Sequence, residues 1–231
     1  MSLTGYLIYL ALLLIIPMIA QGKVKSAYNK YSQIRNSSGM TGAEVARKIL
    51  NDNGLNDVTI EETKGELSDH YDPKAKTVRL STDNYHKPSV AAAAIAAHEV
   101  GHAIQDAEDY AFLKFRSALV PAAQIGTSLG QWLIMIGLLI TVFGSFSPVI
   151  LLAGIVMFSA AVLFQVVTLP VEFNASNQAM AQMVSSGIIR NDEERETKKV
   201  LNAAAMTYVA AALVAVMELA RLILIYLSQR D

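Results

Sequence analysis

The residues best equipped for chemistry stand in one short run, His98-Glu99-Val100-Gly101-His102. This is the pattern H-E-x-x-H. On a helix, positions i and i+4 share a face, so both imidazoles can reach one Zn²⁺, each at about 2.0–2.1 Å. Glu99 then sits beside the metal without ligating it. Its carboxylate can take a proton from the metal-bound water as that water attacks a carbonyl. Two of the chain's 4 histidines fall in this run, and there is no cysteine. Thiol nucleophiles, disulfides and Cys-ligated zinc are thereby excluded. A structural zinc site is closed by four protein ligands, whereas a catalytic site keeps one position open. With only His70 and His86 to spare, a closing fourth ligand is hard to find.

A third ligand is needed. Metzincin spacing asks for Gly three and His six residues past the second histidine, but Gln105 and Glu108 stand there. Asp106 shares the stripe one turn beyond His102, yet on the same straight helix it overshoots the metal. Glu108 and Asp109 read as a solvated helix end. Site-2-type intramembrane proteases use an aspartate in a later span. The only acidic residue within an apolar stretch here is Glu218, three residues before Arg221, which neutralises it. That leaves Glu172, in TLPVEFNASNQA (168–179), as either a ligand or an acidic residue favoured at a helix N-terminus.

The chain that must position these groups is 53% hydrophobic and only 17% charged, with mean hydropathy +0.35. Soluble domains run near 25% charged. A net charge of −1 leaves no electrostatic footprint for nucleic acid. Four stretches carry the apolar excess: 3–20, 129–143 (extended by uncharged residues back to 121), 149–167 and 203–227. The first lacks the basic flank and small-x-small cleavage site of a signal peptide, so a membrane anchor fits it better. Segment 21–120 holds 13 Lys/Arg and 170–200 holds four, while the linker 144–148 has none. The positive-inside rule therefore places both segments in the cytoplasm and both termini outside, with Arg230 opposing weakly. Spans two and three form a hairpin, so His98, His102 and Glu172 can share one face.

Local signals fill in the polar segments. Residues 41–55 form a helix with a Thr41/Glu44 capping box, ended at Gly54. Residues 57–62 and 76–80 alternate as half-buried strands do, with a turn at 72–76. An Ala-rich helix covers 89–112, with Pro88 at its start. Another covers 171–187, with Pro170 setting its start or a kink, and 191–205 begins a helix that runs into the fourth span.

AAHEVGHAIQ (96–105), LFQVVTLPVEFNAS (163–176) and AAAMTYVAAAL (203–213) resemble the YugP-type neutral zinc metallopeptidases of bacterial membranes. The resemblance spans nearly the whole chain, four-span layout included. More distantly, the arrangement is similar to the Ste24/HtpX-like gluzincins, in which a Glu on a later helix completes the motif within E-x-x-A-D. Glu172 and Ala175 match that pattern, which implies the ligand set His98, His102 and Glu172. Ser176 replaces the aspartate that steadies a zinc-binding histidine, leaving Ser176, Asn174 or Asn177 to substitute. The resemblance also implies that the strand before the zinc helix takes the substrate backbone as an added strand. Its candidates are Thr77, Val78, Arg79 and Leu80. A downstream His or Tyr would hold the oxyanion. Both spare histidines lie upstream, which leaves Tyr208.

The expected fold is mainly α: a multi-span membrane protein of about four spans with a small α+β zincin-like region at the membrane face. It divides into an anchor (1–22), a catalytic region (23–118), a transmembrane hairpin (119–169), a third-ligand helix and connector (170–200) and a C-terminal span (201–231). The expected function is that of a membrane-anchored zinc endopeptidase carrying one Zn²⁺ per chain. Its partners are the lipid bilayer and membrane or membrane-proximal protein substrates, and not nucleic acid. A homo-oligomer or a membrane regulator is left open. The competing reading is a non-enzymatic or latent membrane protein that keeps zinc for structure or assembly. Intact Glu99 favours catalysis, since a structural site has no use for a base. An intramembrane protease would need zinc at bilayer depth, and the charged flank 106–109 places the helix nearer the interface.

Overall fold

The computed structural model describes residues 3–142 and 148–229. Apart from Pro148, the hairpin linker expected at 144–148 lies outside the described residues. In chain order the elements are α1 (Leu3–Tyr31), α2 (Gly42–Asp52), β1 (Thr59–Thr63), β2 (His70–Asp72), β3 (Thr77–Ser81), α3 (Thr82–His86), α4 (Val90–Ala107), α5 (Ala111–Ile125), a π-helical turn (Gly126–Gly130), α6 (Gln131–Val142), α7 (Pro148–Ser185) and α8 (Asn191–Ser228). Four helical stretches among the described residues are long and apolar enough to cross a membrane: α1, Ala111–Ile140, α7 and α8. The chain is therefore mainly α with a small α+β region. It forms two units, one of Met1–Ile16, Ala111–Leu169 and Tyr208–Asp231, the other of Pro17–Tyr110 and Pro170–Thr207. In α1 and α7 alike the division falls at a proline, Pro17 and Pro170.

The apolar unit packs through small residues. A Cβ at Gly126 would lie 2.2 Å from the carbonyl oxygen of Met157, and one at Gly154 would lie 2.8 Å from the backbone nitrogen of Ile134. Backbones meet at these points, which is how helices associate where lipid is as apolar as leucine. Ile134, Leu151, Ile155 and Leu222 form the buried cluster, and Leu7, Ile8, Leu14 and Ile15 stay exposed, as a lipid-facing helix requires. Glu218 accepts from Arg221 Nε at 3.0 Å, and the Tyr9 hydroxyl of α1 adds a third member to that pair.

In the second unit the Thr41/Glu44 capping box forms as expected, because Thr41 Oγ1 accepts from the Glu44 amide while the Glu44 carboxylate accepts from the Thr41 amide. β3 is the middle strand, parallel to β1 and antiparallel to β2. Val78 and Leu80 are fully buried in the core with Val45, Ile49, Leu50 and Val100. On the other face Arg79 bridges Glu61 and Asp72 at 3.0 Å each.

Three sequence expectations need correction. The helix read over 89–112 stops at Ala107. There Asp109 takes a left-handed φ of 57° and the Tyr110 amide turns back to the Gln105 carbonyl at 2.9 Å, and α5 starts afresh at Ala111. The helix read from 171 does not start at Pro170. α7 runs through it from Pro148, so the third span and the Glu172 segment belong to one continuous helix; proline removes a single helix hydrogen bond there. Lastly, Thr77, Val78, Arg79 and Leu80 offer no edge for a substrate strand. Thr77, Val78 and Arg79 are paired on both sides, and Leu80 is paired to β1 and wholly buried. The cause is β2, whose three residues carry too little alternation to be read as a strand.

Candidate metal centre

α4 opens with Ser89 Oγ accepting from the Ala92 amide at 3.1 Å. Its alanines at 91–94, 96 and 97 are all buried, so the helix can sit deep in the unit without bulky side chains holding neighbours away. At Gly101, a variable position of the motif, a Cβ would lie 2.6 Å from the carbonyl oxygen of Ala175. α4 and α7 thus cross backbone to backbone. His98 and His102 flank that crossing on α4, and Glu172 lies three residues before Ala175 on α7.

The crossing brings the three side chains together. His98 Nε2 is 3.2 Å from Glu172 Oε2, and His102 Nε2 is 3.6 Å from the same oxygen. One ligand atom from each of His98, His102 and Glu172 lies within 4.8 Å of the others. A tetrahedral zinc with bonds of about 2.0–2.1 Å separates its ligands by about 3.4 Å. The two distances to Glu172 bracket that value, so the donor set fits the ion in chemistry and in the spacing of Glu172 from each histidine. Glu172 is 1% exposed, and a carboxylate that deep needs charge or hydrogen bonds against it. Burial disfavours a charged imidazole at His102, yet the Glu172 hydrogen bond and the carboxylates of Glu99 and Glu172 outweigh it and raise the ring's pKa. Glu99 is 9% exposed on the same helix as His102.

The outer ring nitrogens are also engaged. His98 Nδ1 is 3.3 Å from Ser176 Oγ, the position expected to replace an aspartate. His102 Nδ1 donates to Gln105 Oε1 at 3.0 Å. Gln105 Nε2 in turn donates to the Val171 carbonyl and to Asn174 Oδ1, both at 2.8 Å. Asn174 thus reaches the site through Gln105, while Asn177 is exposed. Gln105 is the residue that sequence reasoning passed over. Its only signal was a polar side chain one turn past His102 on the motif's own face.

Neighbouring candidates go elsewhere. Asp106 accepts from the Tyr71 hydroxyl at 2.9 Å, and Glu108 accepts from Gln178 at 3.3 Å. His70 faces the Ser68 carbonyl and His86 faces Glu62. Tyr208 falls in the apolar unit.

Comparison with known proteins gives the family. The family model described as "Putative neutral zinc metallopeptidase" matches residues 6–227. The chain is 50% identical over 212 residues to the "Putative membrane protease YugP" of Bacillus subtilis (strain 168), covering 92% of each chain. No solved structure matches it significantly. A match over nearly the full length, together with a relative of this identity, places the chain in the family described as "Putative neutral zinc metallopeptidase".

Proposed function

We propose that the chain is a membrane-anchored zinc endopeptidase that cuts membrane or membrane-proximal proteins, with His98, His102 and Glu172 holding one zinc ion. The observation that carries this reading is that Glu172 of α7 meets His98 and His102 of α4, the helix that also bears Glu99. Zinc, when bound, supplies a Lewis acid that polarises the scissile carbonyl and acidifies water. Glu99 is the base. Its carboxylate takes the proton of the attacking water and passes it to the amide nitrogen of the leaving strand as the C–N bond breaks. Near-complete burial keeps that carboxylate short of solvating water, so the water it orients is the one that reacts.

The substrate strand is reassigned to the outer edge of β2. This edge lies free among the described strands, and β2 is tied to α4 through Tyr71 and Asp106. An extended peptide added there would satisfy its own backbone along His70–Asp72. The basic residues that follow the first span support a cytoplasmic site, drawn from region 23–118 and the helix of 170–200, with both termini outside.

The test is Glu99→Gln, which keeps size and polarity but cannot accept a proton. The variant should retain zinc and lose roughly 10²–10⁴-fold or more in peptide hydrolysis. Near-normal turnover by pure protein would remove Glu99 from the mechanism.

A further inference from the structure

We infer that Gln105 is a positioning residue that fixes the tautomer of His102 and ties that ring to the helix carrying Glu172. The inference rests on the zinc-site reading above. Its starting point is a backbone carbonyl. The Val171 oxygen can only accept, so the end of the Gln105 amide that faces it at 2.8 Å is the NH₂ group. The other hydrogen of that NH₂ goes to Asn174 Oδ1, also at 2.8 Å. The oxygen of the amide is therefore the atom turned to His102, 3.0 Å from Nδ1. An oxygen with no proton obliges Nδ1 to carry one. In the neutral ring, the form that binds a metal, Nε2 is then the nitrogen with the lone pair, and it is the one that faces Glu172.

The chain of contacts does a second thing. Gln105 sits on α4 and is fully buried, while Val171 and Asn174 flank Glu172 on α7 by one and two residues. One side chain thereby joins the His102 ring to the backbone that carries the third donor. His98 has no such fixed partner. The Ser176 hydroxyl 3.3 Å from its Nδ1 can donate or accept, so it leaves the tautomer of that ring open. The outer nitrogens of the two histidines thus differ in partner, that of His102 facing an oxygen that only accepts and that of His98 a hydroxyl that can do either.

The test uses the full-length chain in detergent, with zinc affinity read by chelator competition and the absorption spectrum read after cobalt substitution. Gln105→Met keeps the shape and removes all three hydrogen bonds. It should lower zinc affinity by about 10–100-fold, the usual cost of losing a partner behind a ligand, and shift the cobalt bands. Asn174→Ala leaves the Val171 carbonyl to orient the amide, so its loss should be smaller but measurable, and it decides the matter if Gln105→Met does not fold. A residue that merely fills space would change thermal stability and leave affinity and spectrum alone. Wild-type affinity and an unchanged cobalt spectrum in folded Gln105→Met overturn the inference while the zinc site stands. Wild-type affinity in Asn174→Ala does the same where Gln105→Met does not fold. A wild-type chain that takes up no zinc overturns both.

Discussion

Gly101→Ala is a single added methyl at the point where the two ligand-bearing helices touch. The new Cβ would lie 2.6 Å from the Ala175 carbonyl oxygen and 3.2 Å from both its carbonyl carbon and Cα. Every one of these is backbone, so no side chain can swing aside. Restoring ordinary contact requires α4 and α7 to part by about 0.8 Å locally. Zinc–ligand distances tolerate about 0.2 Å. Moving His98 and His102 away from Glu172 by several times that amount stretches separations of 3.2 and 3.6 Å beyond what one ion spans. The strain should also cost about 1–3 kcal/mol of stability. Zinc affinity, read by chelator competition, should fall at least as far as it does on losing a supporting hydrogen bond, about 10–100-fold. Gly22→Ala is the control. That glycine is also helical but has nothing within 4 Å of its would-be Cβ, and the change should be neutral or stabilise by about 0.5–1 kcal/mol. Wild-type zinc affinity and thermal midpoint in Gly101→Ala would refute the claim that this crossing sets the site.

Three further outcomes are expected. Thr197 is fully buried in α8 and its hydroxyl has no hydrogen-bond partner, so the nearly isosteric Thr197→Val should stabilise the protein, by about 1–3 kcal/mol at most, read as a higher thermal midpoint. Glu193 accepts from the Ser37 amide at 2.7 Å, from the Ser37 hydroxyl and from the Arg190 amide at 3.1 Å; Glu193→Ala should destabilise by about 1–3 kcal/mol in a melt and leave zinc stoichiometry unchanged. The chain has no cysteine, so a cysteine placed at exposed Lys64 reports sidedness cleanly: it should resist an impermeant thiol reagent in intact cells and react after lysis, and labelling in intact cells would invert the topology.

What could be read from the sequence was whatever local spacing controls. The H-E-x-x-H spacing places two imidazoles on one helical face wherever that helix lies, and the Thr41/Glu44 box is complete within four residues. The apolar lengths of the spans are equally local. Glu172 was less accessible. Spacing left it as a ligand or a helix-end carboxylate; the hairpin topology, which returns it to the face of His98 and His102, favoured the first, and the resemblance to gluzincins added to that. Gln105 was beyond reach because its meaning depends on Val171 and Asn174, more than 60 residues away and brought near by the Gly101–Ala175 crossing. The substrate edge was misplaced for a similar reason. KTVRL reads correctly as a strand, but whether a strand is central or at an edge is decided by partners, and β2 is too short to announce itself. The break after Ala107 was hidden because Asp109 does there what glycine usually does, taking a positive φ.

The account's central claim is that His98, His102 and Glu172 together bind one zinc ion. It is tested most directly by the metal content of purified wild-type protein beside that of Glu172→Ala, each measured after identical dialysis. One zinc per chain in the wild type and a severe loss in the variant, with the helical circular dichroism retained, is the predicted result. Full zinc occupancy in a folded Glu172→Ala chain, or none in the wild type, would contradict it.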